Sequence, residues 1–229
     1  MVKRCILIAW MLAIVASAYA QETLVQKPLR LKFQYTLDSG LVELGKEIES
    51  ERGARKFRFT KIKQYVSNIA LYRASRCVWR DSGGFYLLDA DNAAGCQIAF
   101  NYPINLVFDE ISLVLGIDST TQVAGVMGGA LDPLNGMYWS WQSGYINLKI
   151  EGEMLDQQKS TALEYHIGGL GTAHEKRFGL TPGEDLNIVC DLNPLLEQAL
   201  SANKTHLMSP GKQAIALSLA WMQSILKQP

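Results

Sequence analysis

The sequence has 229 residues, with 22 basic and 22 acidic side chains and three histidines. Balanced charge without a run of one sign excludes the basic face that nucleic acid demands. The length suits one domain that buries its own core, and four cysteines without C-x-x-C or C-x-x-C-H spacing exclude a redox pair and a covalently attached haem.

Lys3 and Arg4 open the chain, and an apolar run follows from Cys5 to Ala16. That run is about 12 residues, short of the roughly 20 that span a bilayer. Ala18-Tyr19-Ala20 is a small-x-small cleavage signal. Residues 1–20 therefore read as a secretory signal peptide, with Gln21 as the mature start. Without Lys3 and Arg4, 20 basic residues face 22 acidic ones. Residues 21–229 read as a single exported domain.

Strand signals then dominate. Leu29, Leu31, Phe33, Tyr35 and Leu37 alternate with polar residues, the period of a half-buried strand. Residues 41–55 are charged and poorly patterned, and suggest a loop with a short helical turn. Further strands are expected at Phe57–Thr60, Tyr65–Arg73, Phe85–Asp89, Gln97–Asn101, Glu110–Leu115, Tyr145–Glu151, Leu163–Ile167, Lys176–Leu180 and Leu186–Leu192. Turn residues separate them, among them Tyr102-Pro103, Gly168-Gly169 and Thr181-Pro182-Gly183. The fold class expected is mainly β: an antiparallel β-sandwich, two sheets packed as in immunoglobulin or cupredoxin domains, with one or two C-terminal helices. The helices are expected at Pro194–Leu200 and from Ser209-Pro210 to Gln228. In the second, Ser209 would be the N-cap, and Ile215, Leu219, Met222 and Leu226 would face the core.

Three cysteines follow the leader: Cys77, Cys96 and Cys190. Cys77 and Cys96 flank an apparent strand–turn–strand, so a disulfide between them is expected in an oxidising compartment. Cys190 reads as a buried thiol. Asp118 and Asp132 stand in glycine-rich turns and read as turn caps.

The most distinctive stretch runs from Gly128 to Tyr145, GGALDPLNGMYWSWQSGY. If extended, Met137, Trp139 and Trp141 share one face. His166 ends a strand before Gly168-Gly169, where a side chain can face a cavity. His206 and Met208 would place an imidazole and a thioether on one face. Both are donors that soft metal ions accept. His174 stands in a polar loop, where exposure is the default.

The Gly128–Tyr145 block and the following Ile-Asn-Leu-Lys-Ile-Glu-Gly closely resemble the signature of the MbnP family, periplasmic copper-binding proteins first recognised beside methanobactin genes. The resemblance continues in order at Phe59–Ile69, at Leu115-Gly116-Ile117-Asp118-Ser119 and at Tyr165-His166-Ile167-Gly168-Gly169. It implies a β-sandwich in the periplasm holding one copper ion near histidine. It also implies a partner, a di-haem peroxidase-like protein of the MbnH type, that oxidises a tryptophan to kynurenine. The candidates are Trp139 and Trp141, ahead of Trp79 and Trp221. Many relatives carry F-x-H in the first strand. Here Phe33-Gln34-Tyr35 puts a phenol there, a poor Cu(I) ligand. The candidate metal residues are thus His166, His206, Met208 and Tyr35.

An enzyme is not expected: no G-x-S-x-G, Walker loop or H-E-x-x-H is present. A hydrolase would need His166 or His206 beside a nucleophile such as Ser67 or Ser143. The alternative function is a metal-free binding module in which Trp139, Trp141 and Tyr145 form an exposed platform for a carbohydrate or a protein.

Overall fold

The structure is a computed structural model that describes residues 25–51, 55–81, 84–141, 144–156 and 159–228. The expected leader, residues 1–20, lies outside the described residues.

Strands run in chain order as β1 (Gln26–Leu37), β2 (Gly40–Leu41), β3 (Glu47–Ser50), β4 (Arg55–Arg73), β5 (Arg76–Arg80), β6 (Phe85–Asp89), β7 (Gln97–Pro103) and β8 (Glu110–Leu115). Helix α1 (Ser119–Val123) precedes β9 (Tyr138–Trp139), β10 (Gly144–Asp156), β11 (Lys159–Gly168), β12 (His174–Gly179) and β13 (Leu186–Asp191). The chain closes with α2 (Asn193–Ser201), β14 (His206–Leu207), α3 (Lys212–Ser224) and β15 (Ile225–Lys227).

These strands form two sheets, as a β-sandwich with C-terminal helices requires. The smaller has the order β15-β13-β1, with β7 and β2 sharing the other edge of β1. The larger has the order β12-β8-β4-β10-β11-β14, with β3, β5 and β6 also on β4 and β9 on β10. Most pairs are antiparallel, but β1 runs parallel to β13 and β11 parallel to β14. The main core lies between the sheets. It takes Phe33 and Tyr35 from β1, Leu148 and Ile150 from β10, Tyr165 and Ile167 from β11, and Trp221 from α3.

Strand β4 carries much of the larger sheet. Its inward residues change phase twice: Phe57 and Phe59, then Ile62 and Val66, then Ile69 and Leu71. Register shifts mark both changes, and Asn68 takes φ 51° at the second. An extra residue at a bulge resets the two-residue alternation. One strand of 19 residues therefore stands where the alternation suggested two.

Several expectations are corrected. The described residues between 41 and 55 contribute to β2, β3 and the start of β4 and form no helix. Helix α3 starts at Lys212 after Gly211, with no side-chain cap, and gives way to β15 at Ile225. Its buried face is Ala214, Leu217, Ser218 and Trp221, while Leu219 and Leu226 are exposed. The disulfide is not formed: Cys77, Cys96 and Cys190 are free thiols. Cys77 lies on β5 in the larger sheet, and Cys96 leads into β7 in the smaller one. The Cys77 thiol turns to the Trp79 carbonyl and the Cys96 thiol to that of Asp89. Cys190 is fully buried, as expected.

Gly168 pairs with Ile146 at a bulge, and a Cβ there would stand 2.2 Å from the Tyr145 carbonyl oxygen. Gly168→Ala should lower stability by about 1–3 kcal/mol, because backbone cannot yield as a side chain does. Thermal unfolding against the unaltered protein measures this.

Candidate metal and tryptophan site

Alternation on β11 sends Tyr165 and Ile167 into the main core and His166 to the opposite face of the larger sheet. The same face of β4 and β10 supports a second, smaller core of Tyr65, Ile117, Leu131, Met137, Trp139, Tyr145 and Ile146. The distinctive block thus folds over this face as a lid with its own apolar filling. Polar contacts hold it down. Tyr65 Oη donates to the Ala130 carbonyl at 2.9 Å, and Gln122 Nε2 to the Tyr145 carbonyl at 3.0 Å. Lys149 Nζ donates to the Gly136 carbonyl. Asp118 and Asp132 cap their turns by accepting from Thr121 and Leu134 amides, as expected.

His166 sits at the border of this lid. Lys149, which holds the lid, is its cross-strand neighbour. The imidazole is 6% exposed, and its Nε2 lies 2.8 Å from Glu151 Oε1. Burial holds the imidazole below its ordinary pKa, against the opposing pull of Glu151. The Glu151 carboxyl is held below its ordinary value: burial raises it, but the hydrogen bond from His166 and the charges of Lys61 and Lys149 prevail. The pair is best written as a neutral imidazole donating Nε2–H to a carboxylate. That tautomer leaves the lone pair on Nδ1, and metal-binding histidines are commonly oriented in this way.

His206 repeats the pattern on β14. Its Nδ1 lies 2.7 Å from Glu164 Oε2, which leaves Nε2 for a ligand. Glu164 pairs with His206 and Tyr165 with Leu207 in parallel register. Glu164, the partner of His206, stands two residues before His166 on the same face of β11. The ladder ends at Leu207, and Pro210 lies close to Gly169 further along.

Tyr35 does not join them. It belongs to the main core, stacked on Trp221 with ring centroids 6.2 Å apart, so the larger sheet separates it from His166. Its hydroxyl has no partner among the described residues. Burial first, then Cys190, Cys96 and Asp89, push the phenol well above its usual value, so it stays protonated. His174 is not a free loop residue either. It is half-buried, and its Nε2 lies 2.8 Å from Ser218 Oγ on α3.

The tryptophans divide by exposure. Trp139 is 4% exposed, Trp141 is 66% exposed, and their ring centroids are 6.1 Å apart. The chain turns at Ser140, so Met137 and Trp139 share a buried face that Trp141 leaves. With Trp139 and Tyr145 buried, no flat aromatic platform stands outside. Trp79 stacks on Phe100 and Trp221 lies in the main core. Ser67, a nucleophile considered for hydrolysis, is buried and donates to the Gly116 carbonyl at 2.7 Å. Ser143 lies outside the described residues.

Sequence reasoning missed Glu151, Glu164 and Lys149. Their two-residue spacing along β10, and Glu164 two before His166, was the available signal. Among the described residues, no three His, Cys, Asp or Glu side chains form a metal-binding group. Cu(I) accepts low coordination by soft donors, so two imidazoles and a thioether fit its chemistry.

The MbnP family profile matches residues 26–212. The chain belongs to the MbnP family. By fold it is similar to MbnP from Methylosinus trichosporium, with a TM-score of 0.53 and 16% identity over 76% of this chain and 78% of that one. No curated protein matches it by sequence. No helix among the described residues is long and apolar enough to cross a membrane.

The His166 environment has a pH signature. Unfolded imidazole takes a proton near pH 6.5, whereas the buried one resists it, so below that pH the unfolded state binds more protons. Stability should therefore fall as pH drops through 6.5. His174, lowered by burial, adds the same sign. His166→Gln should flatten the fall, as measured by denaturant titration at pH 5 to 8.

Proposed function

We propose that this protein is exported to the periplasm and binds one copper ion at His166, His206 and Met208. It acts as a binding protein and not as an enzyme. A di-haem, MbnH-like peroxidase partner oxidises Trp139 or Trp141 to kynurenine. Membership of the MbnP family supports the general context. The observation that supports the copper assignment is the pairing of β14 with β11, which brings the His206–Glu164 pair to the face of β11 that carries the His166–Glu151 pair.

The donor set favours Cu(I): burial holds His166 neutral with Nδ1 free, His206 keeps Nε2 clear of its contact with Glu164, and thioether is a soft ligand. The carboxylates fix the rings in place. Tyr35 has no part in this site. Trp141 presents an exposed indole to a macromolecular oxidant, and Trp139 lies within reach of it. Trp139 also lines a cavity with Gly169 and Pro210, which closely follow His166 and Met208 in the chain. The tryptophan pair and the donor patch are therefore neighbours.

Titration of the mature protein with Cu(I) against a chelator should show one equivalent bound. His166→Ala should weaken it by at least about tenfold, Met208→Leu by less, and Tyr35→Phe not at all. Equal affinity in His166→Ala would exclude the assignment. Co-expression with the di-haem partner should raise the intact mass by about 4 Da, one carbon lost and one oxygen gained. An unchanged mass would remove the oxidation step.

A further inference from the structure

Strand β7 stands at an edge of the smaller sheet. Among the described residues it pairs with β1 alone, in antiparallel register from Lys32↔Gln97 to Gln26↔Pro103. Two bonds flanking that ladder fix which backbone groups meet across it. The Ile104 amide donates to the Val25 carbonyl at 2.9 Å, and the Val42 amide to the Tyr35 carbonyl at 2.9 Å. Odd-numbered residues of β1 therefore turn their backbone groups to this side, and Ile98, Phe100 and Tyr102 of β7 answer them. Successive residues of an antiparallel strand aim N–H and C=O to opposite sides. Gln97, Ala99 and Asn101 thus point theirs away from the sheet. Among the described residues nothing bonds to these outward groups, and all three residues are exposed.

Open edges are ordinarily guarded by charge. Edge strand β5 carries Arg76 and Arg80, and edge strand β12 carries Glu175, Lys176 and Arg177. Strand β7 reads Gln-Ile-Ala-Phe-Asn-Tyr-Pro, with no charge at all. Its outward row is also self-complementary. If the strand meets a copy of itself antiparallel, one register lets all three outward residues bond, the one with its two-fold axis at Ala99. Gln97 then faces Asn101 of the second copy, and Asn101 faces its Gln97. Each opposed pair of this kind exchanges two N–H···O bonds. Opposed Cβ atoms stand about 5 Å apart, so the residue on the axis, which meets itself, must be small and uncharged. Alanine is both. The flanking side-chain amides can bond to each other, each having a donor and an acceptor.

We propose that a second copy of this chain pairs with β7, strand to strand and antiparallel about Ala99, so that two smaller sheets become one. The two-fold axis consumes the edge on both copies and closes the assembly at a dimer. Three residue pairs make a small interface, so the dissociation constant should be roughly 10–100 μM. The contact lies in the smaller sheet and uses no residue of the proposed copper site.

The test uses the mature protein, metal-free. Sedimentation velocity at rising concentration should show a monomer–dimer equilibrium in that range. Hydrogen exchange at Gln97, Ala99 and Asn101 should slow as concentration rises, while Ile98 and Phe100 stay protected throughout. Ala99→Lys brings two ammonium groups face to face and should weaken the dimer by at least about tenfold. Ala99→Pro deletes only an outward N–H, which an edge strand tolerates, and should do the same. Gln97→Lys combined with Asn101→Glu sets opposite charges across the axis and should dimerise at least as tightly as the unaltered chain. A chain still monomeric at about 1 mM would overturn the proposal. So would a dimer unaffected by Ala99→Lys and Ala99→Pro, or exchange at the three outward amides that ignores concentration.

Discussion

Strand β4 pairs with five other strands, and its alternation decides what each face of the larger sheet can hold. Inward it gives the main core Phe57, Phe59, Ile62, Val66, Ile69 and Leu71, with the polar Gln64 buried in the same row. Outward it gives Lys61 and Lys63 to an ion-pair lattice and Tyr65 to the small core under the lid. The bulges keep both rows in phase over 19 residues. Without them a strict two-residue period would drive Phe59 or Val66 outward, and one face would lose its filling.

That division places the candidate site. The lid occupies one end of the outer face, and the charged lattice the other, with Lys149 and His166 at the seam. A buried imidazole is costly to protonate because solvent cannot support the charge. Here burial outweighs the opposing pull of Glu151 and holds His166 neutral with a fixed tautomer, which is the state a metal needs. The same seam lies beside the Trp139–Trp141 pair, one indole enclosed and one open to solvent. His166 and Trp139 thus share one face of one sheet.

The position of Tyr35 follows from the parallel pairing of β1 with β13. It stands opposite Cys190 within the core, against Trp221. A phenol there serves packing. The ligands proposed above lie instead on β11 and at the short strand β14, an element too brief to leave a periodic signal.

Local pattern alone was enough for β1, β6, β8 and β13, for the turns capped by Asp118 and Asp132, and for the block from Gly128 to Tyr145, because each rests on neighbours within a few residues. It also marked His166, His206 and Met208 as donors. It failed where distant contacts decide. The two phases of β4 hid one strand as two, the helical stripe Ile215–Leu226 lost to packing at Leu217 and Trp221, and Cys77 and Cys96 were sent to different sheets. Amino-acid order determined the sandwich and the family. Only tertiary structure decided that Tyr35 lies on the far side of a sheet from His166 and that His206 stands against Glu164 of β11, because strand order and register are set by cores assembled from the whole chain.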